Sequence, residues 1–329
     1  MLLAGDVGGT KTNLAVFASA DDLRTPLLEA TFPSGHFPSL EALIQEFMSQ
    51  VRLPVKQASI GVAGPVADGQ SKTTNLPWHV DARQLREKLQ LESVLLLNDL
   101  AAIANAVPLL KPEDLHTINT GKPREGGALA VIAPGTGLGE AFLSWNGTRY
   151  VAHESEGGHT DFAPTTPLQV DLLRYMQARF DHVSCERVCS GIGLPNIFAF
   201  LKDSGYARVP DDLAQQIANT PDPTPIIVNS ALESRNPNEI CAETLNLFVS
   251  ILSAEAGNLA LKVLATGGVY LGGGIPPRIL RVLEPARFMS TFSHKGRFAE
   301  MLKVVPIHVI MNPKAALLGA AAYGFDMAS

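Results

Sequence analysis

At 329 residues the chain is longer than a typical domain of about 150, so about two domains and at least one large core are expected. Hydrophobic residues make up 46% and charged residues 18%, with Gly 28 and Pro 23, which excludes a disordered or collagen-like chain. A net charge of -6 disfavours a nucleic-acid scaffold or an anionic-membrane binder that works by overall charge, so any phosphate site must be local.

Leu2 to Gly5 and Asn13 to Ser19 read as strands around the glycine turn Asp6-Val7-Gly8-Gly9-Thr10-Lys11. Ser39 then caps a helix whose apolar positions Leu40, Leu43, Ile44, Phe47, Met48 and Val51 share one face. Ala58 to Val62 reads as a strand. A helix opens at Asp81, with Gln84 completing a capping box, and Val94 to Leu97 returns to strand. Alternating strands and helices predict an α/β fold. The polar, Pro/Gly-rich stretch Pro108 to Gly127 marks the first crossing between domains.

Beyond it, Ala128 to Ala133 reads as a strand feeding Pro134-Gly135-Thr136-Gly137-Leu138-Gly139. Glu140 to Trp145 alternates, and Asn146-Gly147 predicts a hairpin. Helices are expected over Leu168 to Phe180, Leu194 to Leu201, Leu213 to Ala218 and Glu239 to Leu264. Val269 to Leu271 is strand-like and enters Gly272-Gly273-Gly274, and Asn312-Pro313 cap a last helix through Phe325. No repeat of fixed period is found.

Cys185, Cys189 and Cys241 are too few for a disulfide framework; reduced thiols in the cytosol are the default. Cys185 and Cys189, four apart on an expected helix, suit packing rather than zinc. The N-terminus lacks the basic stretch and apolar core of a secretory signal, and no apolar run of about 20 residues is read. No membrane partner and no nucleic-acid partner are expected.

Two loops share one design: an apolar strand runs into a glycine turn carrying one hydroxyl residue, at Gly8-Gly9-Thr10 and at Gly135-Thr136-Gly137. Glycines let backbone N–H groups converge on an anion, although ordinary hairpin turns have the same composition. A dinucleotide fingerprint at Gly135-x-Gly137-x-Gly139 would need a helix to follow, and Glu140 to Trp145 reads as a strand. Neither loop is a Walker A motif. Asp99 sits just past the apolar run Leu95 to Leu97, where open α/β sheets place ligand groups. It is either a general base or a helix cap. Asp6 is a turn residue or, beside a phosphate loop, a carboxylate able to hold Mg²⁺ through water. Glu154-Ser155-Glu156-Gly157-Gly158-His159-Thr160-Asp161 gathers carboxylates and an imidazole suited to a polyhydroxylated ligand.

In their order, Gly5 to Thr10, Leu97-Asn98-Asp99, Gly135 to Gly139, Glu156-Gly157-Gly158-His159-x-Asp161-Phe162-Ala163-Pro164 and Gly272-Gly273-Gly274-Ile275 resemble the bacterial glucokinases. The resemblance runs nearly end to end, through Glu186-Arg187-Val188-x-Ser190-Gly191-x-Gly193-Leu194, Gly257-Asn258-Leu259-Ala260-Leu261 and Lys295-Gly296-Arg297-Phe298. It implies a two-domain ribonuclease H-like (actin-like ATPase) fold with an interdomain cleft that closes on the sugar. The domains would be 1–109 plus about 312–329, and 110–311.

The same resemblance implies that the first loop, with Asp6, Gly8, Gly9, Thr10, Lys11 and Thr12, and the second, Gly135, Thr136 and Gly137, hold the phosphates of ATP. Gly273 and Gly274 would lie near the adenosine. Asp99 would take the proton from the 6-hydroxyl of D-glucose in the first step of glycolysis, with Asn98, Glu156, His159 and Glu186 on the other hydroxyls and Asn75 shaping the pocket. Mg²⁺ would accompany ATP, with Asp6 reaching it through water, and the protein would be a cytoplasmic homodimer. Lys11 stands where some of these glucokinases have a neutral residue, and the wording Gly-Gly-Thr-Lys also occurs in the ROK (repressor, open reading frame, kinase) family. The cysteine-rich zinc motif of many ROK proteins is missing, and only four residues precede Gly5, too few for a DNA-binding segment. The alternatives are a kinase for another hexose, such as mannose, fructose or an N-acetylated amino sugar, and a non-catalytic sugar sensor.

Overall fold

The structure, a computed structural model, describes residues 1–50, 52–73, 76–233 and 237–327. They divide into two compact units: Met1–Asp114 with Arg149–Glu154 and Asn312–Ser329, and Leu115–Thr148 with Ser155–Met311. Relative to the expected domains, residues 110–114 and 149–154 group with the first unit instead of the second. Such grouping depends on spatial neighbours that local composition does not encode.

The first unit is built on a sheet with strand order β3-β2-β1-β4-β7: β1 (Leu2–Val7), β2 (Lys11–Phe17), β3 (Leu28–Pro33), β4 (Gln57–Val62) and β7 (Ser93–Asn98). A small hairpin, β5 (Gln70–Lys72) and β6 (His79–Asp81), stands apart. β1, β2 and β3 pair antiparallel, whereas β4 and β7 join in parallel. Side chains alternate along β1. Leu3 and Val7 enter a core with Leu43, Ile44 and Phe47 of helix α1 (Leu40–Ser49) and Leu85 of α2 (Ala82–Leu89). Leu2 and Ala4 point to the opposite face, which is covered by α3 (Asp99–Ala106) and the C-terminal helix Ala315–Asp326. Asp6 belongs by alternation to this second face. Gly319 presses so closely on α3 that a Cβ there would collide with the Ala102 carbonyl, which sets the start of α3 firmly against the sheet.

In the second unit β10 (Leu138–Trp145), β9 (Leu129–Pro134), β12 (Gly268–Leu271), β13 (Ile307–Ile310) and β8 (Leu115–Asn119) lie side by side in that order. β10 and β9 are antiparallel, and β12 and β13 continue in parallel, repeating the first unit's pattern. Two such sheets make this the ribonuclease H-like pattern of the actin-like ATPase fold. β11 (Tyr150–Ser155) groups through Glu154 with the first unit. The long helix Glu239–Val263 forms the spine of the second core, with Leu245, Phe248, Leu252 and Leu259 among Leu172, Leu194, Val269 and Phe292. An 18-residue stretch of this 25-residue helix is apolar enough for a membrane span, but 78% of that stretch is buried inside the protein, as in a core helix.

Asp81 does cap the helix, accepting from the backbone N–H groups of Arg83 and Gln84 as the box requires, and its carboxylate gains a further donor in Gln70 across the hairpin. Other local expectations need correction. The last helix starts at Ala315 with no side-chain cap, and Asn312 instead accepts from Lys314 N. Cys185 lies in a single 3-10 turn, Cys185–Arg187, and not on an α-helix; its thiol and that of Cys189 are buried. Val51 of the first helix face lies outside the described residues.

Candidate active site

In the first unit the β1–β2 turn is a braced loop. Gly8 N donates to Lys11 O at 3.0 Å and Ser34 N to Thr10 O at 3.0 Å. The Ser34 hydroxyl donates to Gly8 O at 2.8 Å, so its bond to Thr12 Oγ1 at 2.9 Å has Thr12 as donor. Thr12 is therefore spent inside the fold, fully buried, while Thr10 and Lys11 are exposed and Gly8 and Gly9 partly so. Asp6, at the end of β1, accepts from Asn13 Nδ2 at 3.1 Å, and Asn13 Oδ1 accepts from Thr31 Oγ1 at 2.9 Å. Burial raises the Asp6 carboxyl above the ordinary value, against the Asn13 bond and the Lys11 charge.

The parallel register puts Val7, Val62 and Asn98 in one row, so the next step along the chain sets Asp99 at the same sheet end as the first loop. Asn98 is the cap of α3: its Oδ1 accepts from Leu100 N at 2.8 Å and Ala101 N at 3.4 Å, and its Nδ2 donates to Gly64 O at 3.0 Å. An Asn cap contributes about 1 kcal/mol. Capping, the alternative considered for Asp99, is thus done by Asn98. Asp99 is the first helical residue and Leu100 N donates to its Oδ1 at 2.9 Å. Gly61 lets α3 approach: a Cβ there would meet Ala102 Cβ at 3.2 Å. Burial, and then the Asp6 carboxylate, push Asp99 up to about 6, opposed by the Leu100 N–H. A carboxylate poised there is ionised at neutral pH yet basic enough to accept a proton.

In the second unit the turn between β9 and β10 carries Gly135, Thr136 and Gly137, closed by Gly135 N donating to Gly137 O at 2.9 Å. Gly191 N donates to Gly135 O at 2.7 Å, and Glu186 Oε2 accepts from Leu138 N at 2.9 Å. A Cβ on Gly137 would collide with that carboxylate. Glu186 thus supports the loop with one oxygen. The segment after Glu156 is tied to the same strip of chain, with Cys185 N donating to Thr160 O and Phe162 N to Val183 O, both at 2.9 Å. Glu156 and His159 are exposed, with Nε2 and Oε2 3.9 Å apart. Asp161, in the same loop, bonds His182 Nε2 at 2.9 Å.

Beside Thr136 opens a cavity of about 970 Å³. Gly135 and Gly274 form its glycine rim, and neither has a neighbour that an added Cβ would touch. Gly273 has φ +79, and a Cβ there would come within 2.5 Å of the Pro134 carbonyl, so the tight approach of β12 to β9 requires glycine. The far wall is Pro221 to Pro225 and the following helix. Thr224 Oγ1 donates to Gly191 O at 2.8 Å, fastening that wall to the loop. Asp222 and Arg278 are the cavity's charged lining residues. Sequence reading missed this wall, although the cluster Pro221-Asp222-Pro223-Thr224-Pro225 was a visible turn signal. Asn75 lies outside the described residues.

A sequence model of the glucokinase family matches residues 3–327. The glucokinase of Nostoc punctiforme is 38% identical, with 98% of each chain covered, and that of Synechocystis is 36% identical over 97% of this chain and 96% of its own. Among solved structures, a glucokinase from an Antarctic psychrotroph is 32% identical, covers 99% of this chain and 98% of its own, and superposes with TM-score 0.82. A glucokinase from Balamuthia mandrillaris, solved with glucose, shares the fold at TM-score 0.82 and 20% identity, over 99% of this chain and 93% of its own. By sequence along nearly its whole length and by fold, the chain belongs to the glucokinase family and is a hexose kinase.

Proposed function

We propose that the protein transfers the γ-phosphoryl group of ATP to the 6-hydroxyl of D-glucose, with Asp99 as general base, as the first step of glycolysis. The observation that carries this is Asp99, fixed at the start of α3 by the Asn98 cap and held at about 6 by its surroundings. Phosphoryl transfer asks a protein mainly to position the reactants and stabilise charge. The Gly8–Lys11 and Gly135–Gly137 loops offer backbone N–H groups to the phosphates, and the cavity beside Thr136 is of a size for a nucleoside. Glu156, His159 and Glu186 bind the sugar hydroxyls; one Glu186 oxygen is already bound to Leu138 N, which holds the other in place. Asn98 orients Asp99 and has one Nδ2 hydrogen left for the sugar.

Asp6 fits an Mg²⁺ site of the kind that relies on one carboxylate, waters and substrate phosphates: its carboxyl has a single amide partner, lies near the like-charged Asp99, and is raised by burial. The described residues hold no cluster of three or more ligands that would make an all-protein cage. Bound there, the ion would neutralise charge on the β- and γ-phosphate oxygens. A cytoplasmic homodimer accompanies this proposal and is supported by the family resemblance; sedimentation of the purified chain tests the dimer.

The test is ADP release with ATP and Mg²⁺ across glucose, mannose, fructose, galactose and N-acetylglucosamine, with Asp99→Asn beside the wild type. Glucose-dependent release, reduced roughly 10²- to 10⁴-fold in the variant, is expected. Release that ignores glucose, or an unchanged kcat in the variant, would refute it.

A further inference from the structure

Among the described residues, Glu140 is the buried carboxylate with neither oxygen hydrogen-bonded. It is 1% exposed and stands on β10 two residues after Leu138, so the two side chains share one face of the strand. The Gly157–His159 turn lies directly on this pair. A Cβ on Gly157 would collide with Glu140 Oε2, and one on Gly158 with the Leu138 carbonyl, so the two glycines seat the turn on β10 with no side chain between. Gly157 N is held by Ser155 Oγ at 3.0 Å, so it is not a donor for the carboxyl.

The charged and titratable groups facing Glu140 do not neutralise it. From the long helix come Glu255 and Lys262, and from the turn at Cys185 a buried thiol. Lys262 Nζ is committed to Glu255 Oε1 at 3.2 Å. Asn258 Nδ2 donates to Glu255 Oε2 at 2.9 Å, and Lys295 Nζ in turn donates to Asn258 Oδ1 at 2.6 Å. Glu255 is therefore fully partnered as an anion and Glu140 is not. Burial first, and then the Glu255 charge, push Glu140 up to about 7. Ionising it in place would bury a second carboxylate with no donor, which is strongly unfavourable. The easiest relief is for the turn resting on Oε2 to lift and admit water.

We propose that Glu140 is a positioning residue: its neutral carboxyl seats the turn that presents Glu156 and His159, and loss of its proton loosens the sugar site. This rests on the assignment of Glu156 and His159 to glucose. It differs from that assignment in placing control of sugar affinity on a group that never touches the sugar.

The experiment is calorimetric titration of the full chain with glucose from about pH 6 to about pH 8.5, for wild type, Glu140→Gln and Glu140→Met, with ADP release measured on the same preparations. The wild-type Kd is expected to be level below about 7 and to climb above it, by up to about 30-fold at pH 8.5 if only the neutral form binds, while both variants stay within about twofold. Asp99 is present in all three proteins, so its contribution to the profile is common to them and does not mimic a difference between wild type and the Glu140 variants. A wild-type Kd that is flat, or a rise equally large in Glu140→Gln, overturns the inference while leaving glucose turnover, and hence the sugar-site assignment, standing. A wild type that binds no glucose overturns both. Should neither Glu140 variant fold, the wild-type profile is compared with that of Asp99→Asn: a flat wild-type profile, or a rise that is lost with Asp99, contradicts a role for Glu140.

Discussion

Asp99→Asn should inactivate the enzyme and stabilise it at once. The carboxyl stands at about 6 against an ordinary value of 3.8, because ionising it where burial and Asp6 oppose the charge is unfavourable. That gap converts to about 3 kcal/mol, an upper limit because Asp99 keeps some exposure; a gain of about 1 to 3 kcal/mol at pH 7 is therefore expected on removing the charge. Asparagine retains an oxygen to accept from Leu100 N, so the start of α3 is preserved. The sign follows from proton binding. Below 3.8 the folded and unfolded chains both hold the proton and no penalty exists. As pH rises from 3.8 to about 6 the unfolded chain releases it and the folded chain does not, so wild-type stability falls, and above about 6 the full loss persists. Urea denaturation of both proteins at about pH 4 and pH 7, followed by an intrinsic probe and by residual activity, measures the difference. The variant's advantage should be present at the higher pH and shrink to roughly a fifth of that at the lower one. A variant that is less stable than wild type by the same amount at both would refute the picture of a charge held against its environment.

Glu156→Gln should raise the glucose KM by roughly 10- to 100-fold with a much smaller change in kcat, the size of losing a charge-assisted acceptor. Unaltered KM in steady-state kinetics would remove Glu156 from the sugar site. Gly273→Ala places a Cβ within 2.5 Å of the Pro134 carbonyl at a φ of +79, so a loss of about 1 to 3 kcal/mol in thermal or urea melts and a higher ATP KM are expected. An alanine variant of wild-type stability would contradict that close approach.

Much of this architecture could be read from residues alone because short-range chemistry dictates it. Ser39 caps α1 by accepting from Ala42 N, and the two glycine loops fall at the ends of strands β1 and β9. Strand β3 was not read, although Leu28, Ala30 and Phe32 alternate with Glu29 and Thr31 and pack against the first core. The short helix Pro285–Phe292 and strand β13 escaped for want of length. At the site, Asp99 was visible as an acid after an apolar strand. Its choice between base and cap was not, because the cap turned out to be its neighbour Asn98. Thr12 looked like a phosphate ligand until its hydroxyl was found bonded to Ser34, a partner 22 residues away. Glu140 carried the faintest signal: an acid that alternates with Ala141 and Leu143 on a strand reads as solvent-facing, yet it is 1% exposed with Gly157 seated on its carboxyl.

The most direct test of Asp99 as the base in glucose phosphorylation is the pH dependence of kcat/KM for glucose, which reports the protein before the sugar binds. An acid limb of unit slope centred near 6 is predicted, with kcat/KM at pH 5 about one eleventh of its plateau, absent from the residual kcat/KM of Asp99→Asn. A wild-type kcat/KM that is level between pH 5 and pH 7, or an Asp99→Asn profile with the same limb, would contradict it.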